Sequence, residues 1–182
     1  MDLLDPSGET PLTDFIAKLA ARGIQISAQA YGTLVHALIE NSIALKFFPN
    51  VFTEFPVPGG EIDVVILSGG QAHLYEIKPI GGTVPPQRQI RRYLASGAGL
   101  FKLPLIAGTL TFEDTIRGPF LFDKVTYETT SPGVIIYQPA IDPPSGPLPS
   151  PVPLLLISTA AVLAVVAVAI IIGALGPTGA LI

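Results

Sequence analysis

The chain contains no cysteine, no tryptophan and a single methionine among its 182 residues. Without thiols there is neither a disulfide framework nor a thiolate metal site, an absence compatible with any compartment. Charge of either sign is missing from the last forty residues, since no Asp, Glu, Lys or Arg follows Asp142. Acidic residues are also absent between Ile77 and Phe112, a stretch that holds Lys78, Arg88, Arg91, Arg92 and Lys102. The formal net charge of −4 argues weakly against nucleic acid as a partner. A local basic stretch counts for more than the total when a ligand docks at one face. The opening Met1-Asp2-Leu3-Leu4-Asp5 lacks the basic start and apolar run of a secretory signal. The length suffices for one domain with a proper core.

Periodicity divides that domain into helices and strands. Thr10-Pro11, followed by Leu12, Phe15, Ile16 and Leu19, predicts a capped amphipathic helix closed by Gly23. A second helix is expected from about Ser27 to Phe47, with Tyr31, Leu34, Val35, Leu38 and Leu45 at helical spacing. Asn50 to Val57 alternates as a strand before Pro58-Gly59-Gly60. Glu61 to Leu67 and Ala72 to Lys78 read as the two arms of a hairpin, turned around Gly69-Gly70 and stopped by Pro79. A loop over 81–86 leads to a short helix from Gln87 to Ser96, and β-prone runs follow at 105–112, 125–129 and 133–137. The expected fold is α/β: a mixed central sheet of about four or five strands flanked by helices, occupying residues 1–138.

The remainder differs in kind. Residues 139–153 carry seven prolines in fifteen positions, which predicts a stiff, extended linker. Residues 154–175 are Leu, Ile, Val and Ala, interrupted only by Ser158, Thr159 and Gly173. Twenty-two residues at helical rise span about 33 Å, close to a ~30 Å hydrocarbon core, so a transmembrane helix is expected, followed by a short apolar tail at 176–182. Its flanks carry no Lys or Arg to set an orientation.

The hairpin concentrates the chemistry. Counting back from a Gly69-Gly70 turn places Asp63 opposite Glu76 on one face, with Cβ atoms roughly 4.5–5.5 Å apart. Two carboxylates so placed repel unless something positive lies between them, and a divalent cation beside the Lys78 ammonium meets that need. On the 27–47 helix, Gly32, His36 and Glu40 recur every four residues and form one stripe. Gln89 and Tyr93 are likewise four apart on the next helix, beside Arg88, Arg91 and Arg92.

In order and spacing these segments resemble the PD-(D/E)xK nuclease superfamily, in its RecB-like branch. The residues that carry the resemblance are Gly32-Thr33-Leu34-Val35-His36 with Glu40, Gly60-Glu61-Ile62-Asp63, Tyr75-Glu76-Ile77-Lys78-Pro79, and Gln89-Ile90-Arg91-Arg92-Tyr93. They cover about residues 25–95, and the form Tyr-Glu-Ile-Lys-Pro is similar to nuclease domains of bacterial polymorphic toxins and injected effectors. The resemblance implies a restriction-endonuclease-like fold and metal-dependent hydrolysis of phosphodiester bonds, chiefly of DNA, with RNA left open as a substrate. It implies Mg²⁺ or Mn²⁺ held by Asp63, Glu76 and the Ile77 carbonyl, with His36 or Glu40 completing the shell. Lys78 would assist the attacking water. Gln89 and Tyr93 would contact the DNA backbone or brace the site, and Arg88, Arg91 and Arg92 would neutralise phosphates. The expected setting is a domain facing the cytoplasm and held at a membrane through residues 154–175, or a secreted or injected effector with an immunity protein as its partner. The alternative is a membrane-anchored nucleic-acid-binding module whose nuclease fold is catalytically silent.

Overall fold

The computed structural model describes residues 11–82, 85–120 and 123–142. All of them belong to the first of the two units into which the chain divides, Met1–Pro147. Helix α1 (Pro11–Ala20) buries Leu12, Phe15 and Leu19. Helix α2 (Ala28–Phe47) is capped by Ser27, whose side chain accepts the Ala30 N–H. Its buried apolar residues, Tyr31, Val35, Ile39 and Ile43, recur every fourth position and form one stripe. Leu45, expected to share the apolar spacing, falls off that stripe and is 86% exposed.

Three antiparallel strands follow as a meander: β1 (Val51–Val57), β2 (Gly60–Ser68) and β3 (Gln71–Pro79). Helix α3 (Pro86–Ser96) comes next, with a proline in its first turn where a missing N–H costs nothing. Four further strands complete the sheet: β4 (Leu105–Ala107), β5 (Glu113–Arg117), β6 (Asp123–Ser131) and β7 (Val134–Ile141). The strand order is β1-β2-β3-β7-β6-β5, and β4 also pairs with β3. One edge of β3 is thus shared: β4 runs parallel to its first half and β7 parallel to its second.

Each face of the sheet carries its own core. On one side α1 and α2 cover Val64, Ile66, Tyr75, Ile77, Ile135 and Tyr137. On the other, Ile90 and Tyr93 of α3 pack on Val57, Ile62, Val65, Leu74 and Val134. The result is a mixed sheet with helices on both faces, as the pattern of elements predicts, but with seven strands rather than four or five.

The differences have local causes. The run expected as one strand over 105–112 pairs only through Ala107. Beyond it, the Thr109 N–H goes to His73 Nδ1 and the Leu110 N–H to the Tyr75 hydroxyl, so side chains replace the ladder. Strand β5 escapes prediction because it is a charged edge strand, Glu-Asp-Thr-Ile-Arg, with little apolar alternation. Strand β7 runs to Ile141, so the first three residues expected in the linker, Pro139 to Ile141, belong to the sheet. Pro139 is tolerated there because β3 stops pairing at Tyr137, leaving an open edge. Among the described residues no helix is long and apolar enough to cross a membrane. The rest of the expected linker, the expected spanning segment 154–175 and the tail lie outside the described residues.

Candidate metal centre

The β2–β3 hairpin follows the register counted from its turn: Ser68 faces Gln71, and Val64 faces Tyr75. Gly69 and Gly70 both have positive φ, 57° and 74°, which a tight two-residue turn of this kind demands. The ladder ends at Val64 and Tyr75, one pair short of Asp63 and Glu76. From Glu76 onward β3 is held by β7, beginning with the Glu76 N–H donated to the Gly133 carbonyl. On the β2 side, the Ile77 N–H is taken by the carboxylate of Asp63, at 2.6 Å from Oδ2. The two strands part at this level, and a side chain fills the gap.

The pleat slips at the same place. Val64 and Ile66 enter the core under α1 and α2, yet Ile62, two residues before Val64, enters the core under α3. The β1–β2 ladder skips the pair Glu54 and Asp63, between Thr53–Val64 and Phe55–Ile62. Glu54 itself has φ 47°, in the left-handed region that residues with a Cβ rarely occupy. Both strands change phase together, and Asp63 stands at the break.

From the α2 side, His36 Nδ1 lies 3.8 Å from Asp63 Oδ2. One ligand atom from each of His36, Glu40 and Asp63 falls within 4.8 Å of the other two. Glu76 approaches from the opposite side. It alternates with Tyr75 and Ile77 of the α2-side core and pairs with Val134 of the α3-side core. Its side chain is 1% exposed, Oε1 accepts from Lys78 Nζ at 2.5 Å, and Oε2 has no hydrogen-bond partner among the described residues. The expectation that Asp63 and Glu76 stand side by side on one face is thereby corrected: Asp63 groups with His36 and Glu40 of α2, whereas Glu76 turns toward the α3-side core, because the pleat slips at Asp63. Ile77 gives its N–H to this centre.

The electrostatics are those of crowded carboxylates removed from water. Burial, then the charge of Glu76, pushes Asp63 up to about 7, against the opposing pull of the Ile77 N–H and Lys78. Burial raises Glu40 to about 9, helped by Asp63, Glu54, Glu61 and Glu76. Glu76 is raised by burial despite Lys78 and Arg92. Burial and the neighbouring Lys78 lower His36 to about 4, so its ring is neutral at pH 7 and keeps a lone pair. The neutral imidazole of His36 grouped with the mutually repelling carboxyls of Glu40 and Asp63 fits a divalent cation. A mixed nitrogen and oxygen donor set suits Mn²⁺ better than Mg²⁺.

On the α3 face, Tyr93 is 3% exposed and its hydroxyl accepts from Gln89 Nε2 at 2.8 Å. The ring lies over Gly60, where an added Cβ would meet the hydroxyl at 2.9 Å. Of the two roles expected for Tyr93, bracing fits this burial and direct DNA contact does not. Arg88, Arg91 and Arg92 are exposed on the same helix, with the Arg92 guanidinium 4.9 Å from the Tyr93 ring centroid. His73, to which the sequence assigned no role, clamps the turn: Nε2 meets the Ser68 carbonyl at 3.2 Å, and Nδ1 accepts the Thr109 N–H.

Three neighbours of the centre had no role in the sequence motifs. Glu54 and Glu61 add charge that bears on Glu40, and the Tyr137 ring meets the His36 ring edge-on at 5.9 Å. The pairing of β1 with the hairpin is the signal that would have found Glu54. Tyr137 is placed by the parallel pairing of β7 with β3, which no spacing reveals. Compared with known proteins, the chain matches no family model, no curated protein and no solved structure.

Proposed function

We propose that this protein is a metal-dependent nuclease of the PD-(D/E)xK type, with a restriction-endonuclease-like fold, acting on DNA. The observation that carries the reading is the grouping of His36, Glu40 and Asp63 at the gap where β2 and β3 part, with the Glu76–Lys78 pair next to it on β3. In this reading Asp63, Glu40 and His36, with the free oxygen of Glu76, hold Mn²⁺ or Mg²⁺. The ion, when bound, supplies Lewis-acid stabilisation of the phosphate and lowers the pKa of water.

The chain's own residues do the rest. The Ile77 N–H fixes the Asp63 carboxylate, leaving its second oxygen for the site. Glu76 holds the Lys78 ammonium beside the gap, where it orients water and offsets charge gathering on the scissile phosphate. Buried Tyr93, tied to Gln89, keeps α3 seated on β2, and the exposed arginines meet flanking phosphates. Residues 154–175 are proposed to hold this domain at a membrane, and the likeness to toxin and effector nucleases suggests a role in harming another cell.

The purified chain should cut DNA with Mn²⁺ and stop when the metal is chelated. Cutting of closed circles as well as linear DNA identifies an endonuclease, since circles lack the ends an exonuclease requires. Glu76→Ala and Lys78→Ala should abolish cutting. A chain that binds DNA but cuts nothing with either metal would be the silent binding module instead.

A further inference from the structure

On the α3 face of the sheet, an aromatic cluster reaches solvent beside the basic helix. Phe52 of β1 lies 5.9 Å from Phe55 and 6.3 Å from Phe101, ring centre to ring centre, and Phe55 and Phe101 are 4.5 Å apart. Phe52 is 41% exposed and Leu100, next to Phe101, is 50% exposed. Among the described residues strand β1 is an edge of the sheet. Lys102 follows Phe101 and is exposed, as are Arg88, Arg91 and Arg92. No acidic residue interrupts the chain from Ile77 to Phe112. The same face leads back to the metal centre, since Tyr93 rests on Gly60 of β2 and Glu76 senses Arg92.

We infer that this face takes a single strand of nucleic acid, with an unpaired base stacked on Phe52 and Phe101 and the phosphates running along the arginines. The inference rests on the nuclease reading and names its substrate class. Charge complementarity selects the occupant: a run of cations without a single carboxylate in its sequence favours a polyanion over an apolar peptide. The exposed rings then select the kind of polyanion. A duplex hides the faces of its bases, whereas a single strand presents them, and stacking on aromatic side chains is how proteins hold such strands without reading sequence.

The test uses the full chain in mild detergent, with divalent ions removed by EDTA, titrated into fluorescein-labelled poly(dT) and into a blunt duplex while anisotropy is followed. Poly(dT) should bind more tightly than the duplex. Phe52→Ala should weaken poly(dT) binding by about tenfold and change duplex binding by less than about twofold, with Phe52→Trp restoring the strand. Phe52→Leu keeps the apolar volume without the ring and should behave as Phe52→Ala does, which covers the case in which the smaller residue fails to fold. Arg88→Gln with Arg91→Gln should flatten the salt dependence for poly(dT). Wild-type poly(dT) affinity in a folded Phe52→Leu chain, or equal losses on strand and duplex, would overturn the inference. So would a Phe52-dependent attachment to anionic phosphatidylglycerol vesicles with poly(dT) binding unchanged. Because binding is read without metal, the two readings separate: strand binding through Phe52 in a chain that never cuts retires the nuclease alone. Cutting that is indifferent to Phe52 retires this inference alone.

Discussion

The Ile77 N–H donates to Asp63 Oδ2 at 2.6 Å, a side-chain bond lying just where the β2–β3 ladder has ended. One carboxylate therefore closes the sheet and faces the candidate site, and two substitutions separate those duties. Asp63→Asn keeps an oxygen for the N–H but removes the charge. Its stability should stay close to wild type, while activity falls by more than the ~10–100-fold that loss of a mere supporting group costs. Asp63→Ala removes the acceptor as well, and orphaning that N–H should cost a further ~1–3 kcal/mol in urea denaturation. Equal stability of the two variants would show that the bond contributes nothing.

The pH dependence of the metal-free protein follows from the directions of the shifts. Asp63 at about 7 and Glu40 at about 9 are raised, so the folded state holds protons that the unfolded chain has released. Their contribution is fully present below the ordinary carboxylate range and is lost as pH rises through about 7 and then about 9. His36, lowered to about 4, acts in the opposite sense: stability is lost as pH falls from its ordinary value toward about 4. From the ordinary carboxylate range up to His36's ordinary 6.5 the two carboxyl losses outweigh the single histidine gain, so thermal unfolding in EDTA should show greatest stability near about pH 4 and a decline toward pH 9. Mn²⁺ should raise the melting temperature most at the alkaline end, because it binds deprotonated ligands. A metal-free profile that rises steadily to pH 9 would contradict these assignments.

Glu76 and Lys78 form a pair in which one partner is sealed from solvent. Lys78→Met leaves that carboxylate alone and should cost up to about 3–5 kcal/mol at neutral pH, less in acid as Glu76 takes a proton. Adding Glu76→Gln should recover most of the loss while activity stays absent. A double variant no more stable than Lys78→Met would show that the cost lay in packing of the lysine stem.

Glu54 occupies a left-handed backbone conformation without being glycine. Glu54→Gly should remove strain of ~1–2 kcal/mol while adding ~0.5–1 kcal/mol of unfolded-chain freedom, a net gain of up to about 1 kcal/mol. It also removes a charge that raises Glu40, so the alkaline decline of the metal-free protein should shrink and be complete at lower pH. Chemical denaturation across pH measures both effects.

Much of this was legible from residue order. The Gly-Gly turn fixed the hairpin register, and alternation within β3 placed Tyr75 and Ile77 opposite Glu76 and Lys78, because both depend on neighbours along the chain. What the sequence withheld depends on partners far away. The phase slip at Asp63 needs β1 beside β2 and Glu54 in a rare conformation, and no local pattern announces either. For the same reason the expected meeting of Asp63 and Glu76 on a single face was too simple. Leu45 was assigned to the apolar side of α2 since that helix is apolar on more than one side, and only the packing of Tyr31, Val35, Ile39 and Ile43 selects among them.

The divided edge of β3 sets an order of assembly. Its first half can be framed by β4 soon after α3 emerges, but the half bearing Glu76 and Lys78 waits for Val134 to Tyr137. A nascent chain therefore carries Glu76 and Lys78 in an unfinished cradle until nearly the whole domain has left the ribosome. Under the proposed nuclease reading, fragments ending ahead of Val134 should form the hairpin yet neither bind metal nor cut DNA.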